Sequence, residues 1–191
     1  MKTKLFRLLY FLRVLKLFPQ FFFHYEVKNY VKKGDVVLDI GANQGIYTRI
    51  FSDCGAYVHA IEPIRKFWDS LEKINTDRIN LIPFAMGGKI KSVRMERWRN
   101  TSGAYRISKD GNLHIQMMQG SLWFNKIAKL NFIKIDVEGS ELPIIEDMAG
   151  LILKHKPTIL IETDKIAEVL SYLRGYEIIK QVSNDYLIGI G

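Results

Sequence analysis

A short apolar strand followed by a glycine-rich turn dominates the sequence: Val36-Val37-Leu38-Asp39-Ile40-Gly41-Ala42-Asn43-Gln44-Gly45. The apolar run before Gly41 predicts a buried strand, and the residues from Ile46 to Asp53 predict a helix that ends at Cys54-Gly55. Ligands of open α/β sheets bind where the strands end. We therefore expect a ligand at this turn.

Strand and helix patterns alternate along the rest of the chain. Further strands are predicted at 57–62, 79–85, 132–137 and 158–162, and further helices from Pro63 to about Ile74, at 122–129, from Ser140 towards Lys154 and at 164–174. This alternation predicts the α/β class, with a mostly parallel sheet covered by helices on both faces.

Two antiparallel features interrupt the alternation. Gly87-Gly88 is a hairpin signal that leads into an antiparallel excursion over residues 89–98. Strands at 177–181 and 186–190, with Asn184-Asp185 as their turn, predict a C-terminal hairpin. Counting these two strands, we expect seven strands in the main sheet.

Length and composition favour one folded domain. The chain has 191 residues, of which 48% are hydrophobic, so disordered and low-complexity classes are excluded. We expect a domain over residues 34–191, preceded by a basic, apolar helical segment over residues 1–33. The lone Cys54 cannot form an intrachain disulfide, which favours a cytoplasmic location.

The net charge of +8 is unevenly distributed. Residues 1–35 carry eight basic and two acidic side chains, and residues 88–109 carry seven basic residues against Glu96 alone. Each stretch is therefore +6, and the remainder is −4. Two local basic patches suit an anionic acceptor or an anionic surface better than they suit general nucleic-acid binding. The alternative is that they are solvated surface charges without a binding function.

The N-terminal segment is apolar over residues 5–18, but Arg7, Arg13 and Lys16 interrupt it. Its apolar runs are too short for a bilayer span or a signal peptide. An amphipathic helix with basic stripes on two sides is expected. Packing on the domain or on a second copy through residues 5–23 is favoured over peripheral membrane contact, which stays open.

The spacing of the glycine loop argues against two common cofactors. A dinucleotide fingerprint places its third glycine five residues after the first, and a phosphate loop carries a lysine. This chain instead has Asp39, Gly41, Asn43 and Gly45 in the pattern D-x-G-x-N-x-G, with Asn tolerating positive φ. The loop therefore predicts a nucleoside site without a pyrophosphate clamp.

Glu62 strengthens this interpretation because it ends the second strand, where a carboxylate can accept both hydroxyls of a ribose. S-adenosylmethionine has an adenosine and a sulfonium but no phosphate, so it fits the predicted site. A surface or helix-capping Glu62 is the structural alternative.

The fourth predicted strand carries charges where a buried strand is normally apolar. Alternation places Lys134, Asp136 and Glu138 on one side, and Glu162 ends the neighbouring strand. An unpaired buried lysine would be costly, so Lys134 is expected to pair with a carboxylate. Either a functional crevice or a purely structural ion pair accounts for the pattern.

The chain resembles the FkbM-type family of S-adenosylmethionine-dependent methyltransferases. The resemblance rests on Asp39–Gly45, Glu62-Pro63, Ala85-Met86, the K-I-D-V-E-G-S-E block from Lys134 to Glu141, and Lys156-Pro157 with Glu162. It implies a Rossmann-like class I methyltransferase fold and O-methylation of a hydroxyl, often on a sugar or natural product. The chain departs from the family pattern at 121–125 and in its short basic excursion, both expected near the acceptor.

The resemblance and the loop together give a set of expected roles. The cofactor is expected to contact Asp39, Gly41, Ala42, Asn43, Gly45 and Glu62, the backbone near Ala85 and Met86, and Asp136. Glu138 is the predicted base, with Asp136 and Lys134 as further catalytic candidates. His24, His59, His114 and His155 are alternative bases, of which His114 lies in the acceptor region. No metal is assigned.

Three other functions are compatible with the sequence. The basic patches suggest a nucleic-acid methyltransferase, although the loop after the fourth strand reads Asp136-Val137-Glu138-Gly139 rather than the Asn/Asp-Pro-Pro-aromatic pattern of base amino-methylation. The second alternative is a non-catalytic subunit that binds the cofactor. The third is a nicotinamide dehydrogenase, which the spacing of the glycines argues against.

Overall fold

A computed structural model of the chain describes residues 26–74, 77–98 and 104–191. Within these ranges the strands are β1 (Val36–Ile40), β2 (Tyr57–Ile61), β3 (Ile79–Ile82), β4 (Ala85–Gly87), β5 (Lys91–Arg97), β6 (Tyr105–Ile107), β7 (Leu113–Gln119), β8 (Phe132–Ile135), β9 (Thr158–Glu162), β10 (Tyr176–Val182) and β11 (Asp185–Ile190). The helices are α1 (Ile46–Asp53), α2 (Trp68–Glu72), α3 (Gly120–Trp123), α4 (Glu141–His155) and α5 (Ile166–Tyr172). The helix and contacts predicted for residues 5–23, and His24, lie outside the described residues.

The central sheet has seven strands in the order β3-β2-β1-β8-β9-β11-β10. The first five are parallel, and β11 is antiparallel to both of its neighbours. The predicted α/β class, the mostly parallel seven-stranded sheet and the C-terminal antiparallel hairpin are confirmed.

Helices cover both faces of this sheet, as predicted. Leu38, Ile133 and Ile161 lie in one core cluster with the buried residues of α4 and α5. Their strand neighbours Val37 and Phe132 pack in a second cluster with α1 on the opposite face. Alternation along each strand therefore separates the two cores.

Val27 and Val31 also belong to the second cluster. Val27 opens a short 3-10 turn, Val27–Tyr30, before β1. In the part of the chain that the structure describes, the domain core therefore includes Val27 and Val31, which lie within the predicted N-terminal segment of residues 1–33.

A second, four-stranded sheet has the order β4-β7-β5-β6. One of its faces packs Val93, Met95 and Met117 against Ile64 and Phe67, which follow β2. The antiparallel excursion is confirmed, but the Gly87-Gly88 hairpin is wrong. Strand β7, rather than β5, pairs with β4, and it does so in parallel, so a local turn signal could not reveal the partner.

Several predicted boundaries need correction. The helix expected from Pro63 begins later, with a 3-10 turn at Arg65–Phe67 before α2, because Ile64 is extended and its amide donates to the Glu62 carboxylate. The third strand ends at Ile82, since Ala85 pairs with Met117 in the second sheet.

Three further elements are shorter or shifted. The helix expected at 122–129 is confined to Gly120–Trp123, where the Asp147 carboxylate accepts from the Ser121 amide. The strand expected at 132–137 ends at Ile135, and the helix expected at 164–174 spans Ile166–Tyr172. The hairpin turn is at residues 183–184, because Asp185 already pairs with Val182.

No helix in the described ranges is both long enough and apolar enough to cross a membrane.

Candidate active site

The carboxyl ends of the five parallel strands lie along one edge of the central sheet. The glycine loop follows β1, Glu62 follows β2, and residues 136–140 follow β8. Glu162 is the last residue of β9. Because β8 lies between β1 and β9, the topology brings these segments together, as the sequence analysis expected.

Backbone contacts define the shape of the glycine loop. Gly41, Asn43 and Gly45 have φ values of 81°, 52° and 81°. The amides of Gly41 and Ala42 both donate to the Ile61 carbonyl at 3.0 Å. Asn43 thus adopts the positive φ that the sequence predicted it could tolerate. The two amide hydrogen bonds hold the loop against the end of β2.

The two outer glycines are required by neighbouring protein groups. A Cβ at Gly41 would lie 1.9 Å from the Asp136 carbonyl oxygen, and one at Gly45 would lie 2.8 Å from side-chain carbons of Leu71 and Ile74. The close approach at Gly41 is therefore to the loop that follows β8. Gly45 is packed closely against α2 and the residues after it, at the point where α1 begins.

Glu62 joins the glycine loop to the segment after β2. Its Oε2 accepts from the Asn43 amide at 2.8 Å, and its Oε1 accepts from the Ile64 amide at 2.7 Å. Burial raises the pKa of this carboxyl to about 7, although the two amide donors oppose the shift. Each oxygen keeps a second lone pair, so a hydroxyl donor can still bind.

Lys134 lies at the centre of a buried polar cluster. Its Nζ donates to the Gly41 carbonyl at 2.8 Å and lies 3.3 Å from Asp136 Oδ2 and 3.7 Å from Asp39 Oδ1. The other Asp39 oxygen, Oδ2, accepts from the Thr48 hydroxyl at 2.5 Å. One ammonium therefore links β1, β8 and the glycine loop.

The charges in this cluster depend on each other. Burial raises the pKa of Asp39, and Lys134 opposes that shift. For Lys134, burial lowers the pKa, but the Asp136 and Asp39 carboxylates outweigh burial and leave it raised. The lysine is thus held as a cation by the carboxylates that it neutralises.

The contacts of Lys134 indicate that it positions the Asp136 carboxylate. Its side chain is 4% exposed, and the Asp136 side chain is 36% exposed. Through Lys134, the more accessible Asp136 carboxylate is held beside the glycine loop. A catalytic role for either residue stays a prediction.

Glu138 and Glu162 lie at the more open part of the same edge. Glu138 is exposed and has a φ of 58°. Burial and the carboxylates of Asp136, Asp185 and Glu138 raise the pKa of Glu162 to about 7. The carboxylates after β8 and β9 are therefore close enough to interact, and they make this edge acidic.

The remaining predicted cofactor residues are buried. The side chain of Ala42 packs with Ala60, Leu71 and Ile74. Ala85 and Met86 are 8% and 3% exposed and belong to the cores formed with the second sheet and with α4. A cofactor contact at these positions would involve backbone atoms, as expected for Ala85 and Met86.

The histidine alternatives are separated from the acidic edge or lie outside the described residues. His59 Nδ1 lies 3.1 Å from Asn80 Nδ2, and its ring packs edge-on against Phe124. His114 is exposed on β7 opposite Arg94. Neither takes part in the Lys134 cluster.

Sequence reasoning missed four residues of this region. Thr48 and Tyr47 come from α1, with the Tyr47 ring centroid 5.3 Å from Lys134 Nζ. Burial and then Asp185 raise the pKa of Tyr47 well above its usual value. Asp185 comes from β11, opposite Glu162. No local pattern links these residues to β8, because the tertiary fold brings them there.

The fourth missed residue is Glu141, the first residue of α4. Ser140 makes no side-chain capping bond at the start of α4. Instead, Glu141 Oε1 accepts from the amides of Val137 and Gly139 at 3.2 and 3.0 Å. Glu141 could have been found from the sequence, because it is the last acid of the K-I-D-V-E-G-S-E block. Its two hydrogen bonds stabilise the loop that carries Glu138.

Within the described ranges, no group of three or more His, Cys, Asp or Glu side chains is arranged to hold a metal ion.

Part of the chain is similar to known methyltransferases. Residues 112–178 match the family described as the methyltransferase FkbM domain. The hexuronic acid methyltransferase AglP of Haloferax volcanii is 29% identical over 126 residues, which cover 62% of this chain and 52% of that protein. The chain therefore spans about half the length of the curated relative it matches.

Two solved structures share the fold. The methyltransferase FkbM of Methylobacillus flagellatus KT has a TM-score of 0.58 at 20% identity, covering 82% of this chain and 43% of that one. An rRNA methylase of Streptococcus thermophilus has a TM-score of 0.50 at 13% identity, covering 90% and 94%. Such identities establish the fold and no shared substrate.

The fold is thus that of the Rossmann-like α/β methyltransferases. This fold agrees with the similarity of residues 112–178 to the methyltransferase FkbM domain and with the similarity of the chain to the curated relative.

Proposed function

We propose that this protein transfers a methyl group from S-adenosylmethionine to a hydroxyl of a sugar or glycoconjugate. The observation that carries the proposal is the junction of the glycine loop with Glu62 and Asp136 at one sheet edge. The Glu62 carboxylate bonds the Asn43 amide, and Lys134 bonds both the Gly41 carbonyl and Asp136. The sugar acceptor is supported by the relative that is named a hexuronic acid methyltransferase.

The residues at this edge fit the cofactor. S-adenosylmethionine carries a sulfonium and an ammonium group, and Asp136 and Glu162 supply negative charge at the ends of β8 and β9. Glu62 has lone pairs available for ribose hydroxyls. Lys134, on β8, is already bonded to the Gly41 carbonyl and so suits no pyrophosphate. When bound, the cofactor supplies an electrophilic methyl group.

The residues of this chain would then orient the acceptor and remove a proton. Displacement requires the acceptor oxygen about 3–3.5 Å from the methyl carbon, in line with the breaking bond. Glu138 is exposed in the loop after β8 and would accept the hydroxyl proton. Lys134 and Glu141 would hold that loop through Asp136 and through the Val137 and Gly139 amides.

Calorimetry of the full chain with S-adenosylmethionine, compared with NAD⁺, tests the cofactor. We expect saturable binding of S-adenosylmethionine and none of NAD⁺. Mass spectrometry of ligand that copurifies provides a second readout. Binding of NAD⁺ alone would overturn the proposal and favour a dehydrogenase.

The variant Glu138→Gln separates binding from chemistry. We expect unchanged cofactor affinity and loss of at least about 100-fold in methyl transfer, because the amide cannot accept the proton. Transfer is measured as S-adenosylhomocysteine released during a screen of sugars and glycolipids. Full activity in this variant would exclude Glu138 as the base.

A further inference from the structure

The turn between β4 and β5 is held beside the loop that follows β8. Gln119 Nε2 donates both to the Gly88 carbonyl and to Asp147 Oδ1 on α4, each at 3.1 Å. A Cβ at Gly88 would lie 3.3 Å from the carbonyl oxygen of Pro143, in the first turn of α4. Since α4 begins directly after Glu138-Gly139-Ser140, the turn borders the candidate active site.

Lys91 lies on the face of the second sheet that covers the segment after β2. Its register partner is Met117, whose partner on the other side is Ala85. Two strand spacings separate Lys91 from Ala85, a distance of about 10 Å. The same face packs on Ile64, two residues beyond Glu62. Lys91 is therefore near both the Glu62 segment and a predicted cofactor contact.

Lys89 in this turn and Lys91 at the start of β5 are both available to a ligand. Lys89 and Lys91 are exposed, and the Ile90 side chain between them is 56% exposed. In the part of the chain that the structure describes, neither ammonium has a hydrogen-bonding or ionic partner. The turn thus presents two cations around an exposed apolar side chain.

The acidic edge explains why such cations would matter. Asp136, Glu138 and Glu162 would repel an acceptor that carries an anionic group. Lys134 offsets part of this charge, but it cannot bind the anionic group itself, because it is buried and bonded to protein oxygens. A favourable site for the anionic group would therefore have to lie at the rim, where the turn is.

The other cations of the basic stretch are placed differently. Arg94 alternates with Val93 and Met95 along β5, so it is on the opposite face from the one packed on Ile64 and Phe67. Arg106 is paired with Glu96. The stretch that looked like one patch in the sequence is thus divided between two faces.

We propose that Lys89 and Lys91 form an acceptor subsite that binds the carboxylate of an anionic sugar. The proposal deepens the O-methyltransferase function proposed above and rests on it for the identity of the ligand as an acceptor. The two ammonium groups bind the carboxylate, and Ile90 contacts the sugar ring.

The test measures binding without any methyl transfer. Methyl glucuronide is titrated into the ¹⁵N-labelled full chain, with methyl glucoside as the neutral match. We expect the glucuronide, and not the glucoside, to shift the amide signals of residues 88–91. In Lys89→Gln/Lys91→Gln the dissociation constant should rise about tenfold, the loss expected for two exposed charge contacts.

The control variant Arg94→Gln/Lys109→Gln removes the same charge from exposed positions elsewhere. It should bind the glucuronide within about twofold of the parent chain. Binding of S-adenosylmethionine is measured on each variant, so that failure of the cofactor proposal is seen separately.

Two results would overturn the subsite. One is the absence of glucuronide-dependent shifts at residues 88–91, and the other is an equal loss of affinity in both double variants. If the lysine variant instead lost only its binding to phosphatidylglycerol vesicles, the turn would be a membrane contact and the proposal would also fail.

Discussion

Lys134 in the central sheet and Arg106 in the second sheet have similar partners in very different surroundings. Lys134 lies near the Asp39 and Asp136 carboxylates and 5.3 Å from the Tyr47 ring centroid. The Arg106 guanidinium carbon lies 3.4 Å from the Trp98 ring centroid, and its Nε and Nη2 donate to Glu96 at 2.9 and 2.8 Å.

Burial separates the two. The Lys134 side chain is 4% exposed, whereas the Arg106 side chain is 39% exposed. A buried charge that loses its partner stays desolvated, while an exposed one is rehydrated. The edge of the central sheet is therefore a fixed polar unit, and the second sheet carries charges that can change with little effect on folding.

The largest expected effect concerns the fixed unit. Gly41→Ala and Gly34→Ala each place a Cβ at positive φ, 81° and 84°. At Gly34 that Cβ meets nothing within 4 Å, but at Gly41 it overlaps the Asp136 carbonyl oxygen. We expect Gly34→Ala to cost about 1–2 kcal/mol and Gly41→Ala about 3 kcal/mol more, or to prevent folding.

Urea unfolding of the two variants measures this difference. Equal costs at both positions would show that backbone conformation, and not the contact between the β1 and β8 loops, makes glycine necessary at position 41.

The next effect compares the two cations directly. Lys134→Met leaves the Asp39 carboxylate buried without its cation, so we expect a loss of about 3–5 kcal/mol in the free energy of unfolding. Arg106→Met should cost less than about 1 kcal/mol, because Glu96 can be rehydrated.

Guanidinium unfolding of both variants provides the values. If Lys134→Met were as mild as Arg106→Met, the buried cluster would contribute no more than a surface pair, and the contrast between the sheets would fail.

The smallest effect is a pH dependence at the acidic edge. Glu162 has a pKa of about 7 in the folded chain against an ordinary 4.5. The folded state therefore binds this proton more tightly than the unfolded state, and the associated stability is present below pH 4.5 and lost as the pH rises to about 7. Glu162→Gln removes the ionisation.

Melting temperatures of this variant and the parent chain should agree near pH 4.5 and differ at pH 8, with the variant higher by no more than about 3 °C, since the side chain is partly exposed. Glu177→Gln, an exposed acid at the far hairpin, is the control and should show no such divergence. A variant that melts lower at pH 8 would contradict the repulsion among Asp136, Asp185 and Glu162.

Much of the central sheet could be predicted because its signals are local. The apolar runs of β1 and β9 and the helix α1 have the bounds expected from the sequence. Helix α2 and the third strand were less well predicted, because a hydrogen bond to Glu62 and pairing in another sheet determine where they begin or end.

The second sheet shows the limit of local signals most clearly. Glycines at 87 and 88 predicted a hairpin, yet β4 pairs with β7, whose Met117 lies 32 residues after Ala85. A turn propensity concerns four neighbouring residues and carries no information on such a partner. For the same reason, the sequence did not reveal that the described basic side chains of residues 88–109 are divided between the two faces of the second sheet.

The α/β class, the glycine loop with its left-handed Asn43 and the acids after successive strands were predictable, because each depends on residue type and short spacing. The bonds of Lys134 to Gly41 and Asp136, of Thr48 to Asp39 and of Glu141 to the loop of Glu138 became visible only in the folded chain. These contacts join segments from different strands and helices, and a buried charge takes whichever partner packing brings within hydrogen-bond distance.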